Sequence, residues 1–194
     1  MPRISRTAVI DALARHVPEI GFGIVDVVHV AIADTRCKVS VKTSQLGVDA
    51  AQVCIGKGGF RVRAAATTLD LDSMSIVTYS EDPTTYLANA IGAHNITPLS
   101  VTITDSTERH ARIVFDTTPT AGRPSPYVRA IGARGLNVRL ASFLTGWHIQ
   151  LCTPLCTTDR CIHPSPAAPE RSPHDVNRIL GRNLAGPRHR MAAL

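Results

Sequence analysis

Apolar positions switch repeatedly between helical and strand spacing along this chain. In residues 8–20, Val9, Ala12, Leu13 and His16 share one helical face with Val17 beside it, and Pro18 closes the pattern. Residues 24–32 are apolar and β-branched, which predicts a buried strand. Residues 38–42 alternate strictly, so Val39 and Val41 should face inward and the lysines outward. Residues 49–72 read as a short helix, a glycine break and a second helix carrying Val62, Ala65, Ala66 and Leu69 on one face. A third strand follows at 75–79. The order then recurs. Asp82 and Pro83 open a helix with Tyr86, Leu87 and Ile91 on its apolar face, ending at Gly92. Residues 97–104 and 109–116 alternate around a turn; 125–130 is a short helical segment; 136–146 is a helix after a second glycine break; 147–151 is a strand. Each half is therefore helix, strand, strand, short helix, glycine break, helix, strand.

The breaks are Ile55-Gly56-Lys57-Gly58-Gly59 and Ile131-Gly132-Ala133-Arg134-Gly135, 76 residues apart. Each is followed by a matched Val-Arg pair, Val62-Arg63 and Val138-Arg139, and duplication explains such agreement better than chance. A sugar-phosphate backbone comes close to a main chain only where side chains are missing. The following helix turns its N–H groups and positive dipole end toward a phosphate. Lys57 and Arg134 place positive charge inside the breaks. Arg61, Arg63 and Arg139 lie in the turns beyond, with Asn137 beside them, and Ile55 and Ile131 are expected to line grooves that receive bases. KH modules use this Gly-x-x-Gly arrangement to clamp about four backbone nucleotides. Competing glycine motifs fail. Gly56-Lys57 lacks the Ser/Thr and upstream glycine of a nucleotide-binding P-loop, and Gly21-Phe22-Gly23 lacks the third glycine of a dinucleotide site.

Composition agrees with this reading and limits it. A length of 194 residues with 44% apolar content supports one large or two small domains with a core. No apolar run approaches a membrane span and no signal peptide is evident, so the expected location is cytoplasmic. A net charge of +6 and a pI near 9.4 favour anionic partners. Aromatics are only 4% of the chain, which argues for backbone clamping over a stacking platform. No catalytic constellation stands out, and the chain is expected not to be an enzyme.

The chain resembles the KH1–KH2 region of the NusA family of bacterial transcription factors. The matching stretches are HVPEIGFGIVDV, KVSVKTSQLGVDAAQVCIGKGGFRVRA, SEDPTTYLANAI and AIGARGLNVRLASFLTGWHI, from about Ala8 to Leu151. The resemblance implies an α+β fold of two tandem type II KH domains, each a three-stranded sheet packed with helices. It implies single-stranded RNA as ligand, RNA polymerase or a transcription complex as partner, and a role in pausing, termination or antitermination. The expected domains are 1–80 and 81–151, with a Pro/Arg-rich tail at 152–194. Some features depart from the family. Its N-terminal polymerase-binding domain and S1 domain have no counterpart in the sequence. Pro124 and Pro126 shorten the helix before the second break. Leu136 replaces a usual Gln, and Gly58 a larger or basic residue. Weaker or altered RNA recognition is the expectation. An RNA-binding module in ribosome or RNA maturation, or a protein-interaction adaptor, remain the alternatives.

In the tail, Cys152, Cys156, Cys161 and His163 are four soft ligands of a kind that suits zinc, at a spacing that fits no standard zinc module. Reduced cysteines in a flexible tail, with no cofactor, are the default. A short helix is expected over 174–184. His29, Cys37, Cys54 and Trp147 read as core residues.

Overall fold

The structure is a computed structural model that describes residues 4–92, 96–119 and 122–156. Ser5 accepts a hydrogen bond from the Ala8 amide and so opens α1 (Arg6–His16). Pro18 has no N–H to continue that helix and instead starts a separate short turn, α2 (Pro18–Gly21). Strands β1 (Asp26–Ala33) and β2 (Arg36–Lys42) follow. Helix α3 (Ala50–Ile55) is capped by the Asp49 carboxylate, and a 3₁₀ turn over Lys57–Gly59 leads into α4 (Phe60–Thr68) and β3 (Ser73–Thr78).

The second half repeats this order. Helix α5 (Pro83–Ile91) is capped by Asp82, whose carboxylate accepts from Thr84 and Thr85 and is held down to about pKa 2 by those bonds. Then come β4 (Ser100–Asp105), β5 (His110–Val114), α6 (Pro126–Ile131), a 3₁₀ turn over Ala133–Gly135, α7 (Leu136–Thr145) and β6 (His148–Cys152). Helix α6 is short, as its prolines predict.

Each half forms its own three-stranded sheet, β1-β2-β3 and β4-β5-β6, with the first pair antiparallel and the second parallel. In the first half, Val9 and Leu13 of α1, Cys54 of α3 and Ala65 of α4 pack on Val39 and Val41. In the second, Leu87 and Ile91 of α5 and Leu140 and Leu144 of α7 pack on Ile113 and Leu151. Trp147 packs against this second core, as expected.

The expectation that both lysines of residues 38–42 face water is corrected. Lys42 is exposed, but Lys38 is only 1% exposed and donates from Nζ to the Ala90 carbonyl at the end of α5. Alternation is obeyed; the reason for the difference is that the second face of this sheet is covered. Ala31, Ala33 and Val77 join the second core, and the Tyr86 hydroxyl donates to Ser40 and to the Leu144 carbonyl. His29 is half-buried at the same junction, 3.1 Å from the Tyr86 hydroxyl and in ring contact with Tyr79 and Tyr86. The two halves therefore share one packed interface.

Candidate nucleic-acid interface

The two glycine breaks have the same backbone. Gly56 and Gly132 sit at φ/ψ 71/169° and 73/170°; Gly58 and Arg134 at 58/20° and 53/28°; Gly59 and Gly135 at 76/18° and 71/12°. Positive φ with ψ near 170° is open essentially only to glycine, which fixes the first position of each break. The Gly59 amide closes the turn onto the Gly56 carbonyl at 2.9 Å, and Gly135 onto Gly132 at 3.1 Å.

Part of the space around the glycines is taken by the protein's own side chains and helix. A Cβ on Gly56 would lie 2.8 Å from Cγ of Arg61, and one on Gly132 would lie 2.7 Å from Cβ of Asn137 and 3.0 Å from its backbone nitrogen. These glycines let the following helix approach its own loop. A Cβ on Gly59 would lie 2.8 Å from Nη1 of Arg63, so that guanidinium folds back over the turn. Gly58 has open space around it, and the middle pairs Lys57-Gly58 and Ala133-Arg134 are exposed.

The predicted contact residues divide by environment. Lys57, Arg63 and Arg134 are exposed, Arg139 is half-buried, and Ile55 and Ile131 are half-buried behind the turns. Arg61 is paired with Glu19 at 3.0 Å and also donates to the Val53 carbonyl, so it ties α4 to α2. Asn137 is 5% exposed, and its amide nitrogen donates to the Ile91 and Ala130 carbonyls, joining the ends of α5 and α6 beneath the second turn. Both are placed to brace the loops. Phe60, which the apolar spacing passes over, stands exposed at the first position of α4. Its signal in the sequence is position alone: an aromatic directly after the glycine turn, off the Val62–Ala65–Leu69 face.

Of the four tail residues offered for a metal, Cys152 and Cys156 lie among the described residues. Burial pushes the Cys37 and Cys54 thiols up to about 12, which keeps them protonated. Cys152 is buried at the end of β6. Cys156 is the last of the described residues. Cys161, His163 and the helix expected over 174–184 lie outside the described residues. Among the described residues no group of three or more His, Cys, Asp or Glu is placed to hold a metal ion, and no helix is long and apolar enough to cross a membrane.

Two sheets of this order, each with a Gly-x-x-Gly turn between the last two helices of its half, α3 and α4 or α6 and α7, define a tandem type II KH protein. Family models agree: the NusA-like first KH domain matches residues 3–79 and the NusA-like second KH domain matches residues 83–154. The chain belongs to the NusA-like KH family. It is 38% identical over 136 residues to the transcription termination/antitermination protein NusA of Mycobacterium tuberculosis, covering 70% of this chain and 37% of that one. It is 35% identical over 149 residues to the Bacillus subtilis NusA, covering 76% and 38%. The chain thus spans between a third and two fifths of the length of these relatives. A crystal structure of the protein APE1850 superposes with a TM-score of 0.50 at 18% identity, covering 76% of this chain and 96% of that one, a likeness of fold.

Proposed function

We propose that this chain binds single-stranded RNA through both glycine turns and acts on nascent RNA during transcription elongation, termination or antitermination. The carrying observation is the duplicated turn, matched in backbone angle and bearing an exposed cation at Lys57 in one copy and Arg134 in the other. Lys57, Arg63, Arg134 and Arg139 supply charge to phosphates, while Arg61 and Asn137 hold the turns in shape. One continuous strand would run from turn to turn, with bases entering beside Ile55 and Ile131. The mechanism is binding. In this reading the work is cytoplasmic, with RNA polymerase or a transcription complex as partner; the relatives' names, transcription termination/antitermination protein, support the transcription role.

The test replaces Lys57, Gly58, Ala133 and Arg134 with Asp. All four positions are exposed, Gly58 has room for a side chain, and Asp tolerates the left-handed backbone. The fold should survive and RNA binding should be lost. For the unaltered chain, log K should fall with log salt by about 0.7 per phosphate neutralised. Retained affinity in the four-Asp variant refutes the turns as the site. Co-purification with RNA polymerase separates a transcription role from one in RNA maturation.

A further inference from the structure

We infer that Phe60 forms a nucleobase-stacking subsite beside the first glycine turn, with no counterpart beside the second. This rests on the RNA-binding reading above and goes beyond it by assigning a base contact to one turn only.

The two turns agree closely in backbone, so the differences between them lie in side chains. The first residue of the helix after the turn is Phe60 in one half and Leu136 in the other. Leu136 is 2% exposed and belongs to the second core; Phe60 is 70% exposed. A phenylalanine left in water forgoes the burial that usually decides its position. Its place relative to the turn is fixed by helix geometry. The Cα–Cβ bond of a helical residue tilts toward the helix N-terminus, so the ring leans toward Gly58 and Gly59. Gly58 has open space around it, exposed Lys57 precedes it in the chain, and the Arg63 guanidinium lies over Gly59. The nearby acid Glu19 is engaged by Arg61.

A flat apolar ring beside a turn that bears exposed cations suits a ligand that carries a π-face and an anionic linkage in one repeat. An unpaired ribonucleotide does so. Stacking on a protein aromatic is tolerant of base identity but grows with the size of the base, so purines gain more than uracil. The first turn would therefore hold phosphate and base, and the second mainly backbone.

The experiment uses the full chain and fluorescence anisotropy with three labelled twelve-residue oligonucleotides: oligo(A), oligo(U) and an abasic ribose-phosphate strand. The variants are Phe60→Ala, Phe60→Tyr and the four-Asp variant. Phe60 is on the surface and alanine is the best helix former, so Phe60→Ala retains the fold. Phe60→Ala should weaken oligo(A) binding about 5- to 100-fold, weaken oligo(U) less, and leave the abasic strand and the salt slope unchanged. Phe60→Tyr should restore oligo(A) binding. Unchanged oligo(A) affinity in Phe60→Ala, alongside lost binding in the four-Asp variant, overturns the subsite and spares the turns. Equal loss on oligo(A) and the abasic strand overturns it by making the ring a structural support. If the unaltered chain binds none of the strands, the RNA reading itself fails. Self-association in sedimentation velocity that Phe60→Ala abolishes, with RNA affinity unmoved, reassigns the ring to protein contact.

Discussion

Arg134 is held at φ 53° inside the second turn, where its counterpart is Gly58. A left-handed backbone costs a non-glycine residue about 1 kcal/mol or more, so this cation is kept against local preference. Arg134→Gly should raise stability by up to about 1 kcal/mol while weakening RNA binding, read by urea unfolding and anisotropy on one preparation. Gly132 presents the opposite case. Its angles suit glycine alone and Asn137 fills the space of a side chain. Gly132→Ala should cost about 1–3 kcal/mol, visible as a lower urea midpoint, and Gly58→Ala, with open space around it, should cost less. At Gly56 and Gly132 the following helix takes up the room a side chain would need. Spacing shows that a residue must be small; it does not show whether a ligand or the protein's own helix occupies the gap.

Between elements, the Arg61–Glu19 pair links α4 to α2 across the first turn. Both side chains are about one-third exposed, so a double-mutant cycle should give no more than about 1 kcal/mol of coupling. The Glu19 carboxyl is held below the usual carboxylate range, first by its own backbone N–H; burial opposes this, and the hydrogen bond and charge of Arg61 add to it. A depressed acid stabilises the fold above its ordinary titration range and loses that contribution as pH falls through its lowered value. The stability gap between the unaltered chain and Glu19→Gln should therefore narrow on acidification from pH 7 to pH 3, measured by thermal melting. Element order was largely legible because helical and alternating spacings are local. The α1/α2 break was legible from Pro18, and the Arg61–Glu19 contact was not, because its partners are 42 residues apart and neither falls in an apolar pattern.

For the whole molecule, the decisive feature is the buried face of the first sheet. Lys38 lies there with its ammonium lowered to about pKa 7 by burial. Its folded value lies below its unfolded one, so the charged form opposes folding below about pH 7, and this opposition is relieved as pH rises toward 10.5. The stability of Lys38→Met minus that of the unaltered chain should stay constant below pH 7. It should then fall by up to about 1.4 kcal/mol per pH unit above it, followed by urea unfolding at pH 6 to 9. The duplication was readable from sequence, but the packing of one half on the other was not, since alternation at residues 38–42 looks the same whether the polar face meets water or protein. That face carries His29, Ala31, Ala33, Lys38, Ser40, Ser75 and Val77, a mixture of polar and apolar groups. A first half produced by itself would bare Val77 and both alanines to water, so the seam joining the twins is one the chain keeps shut.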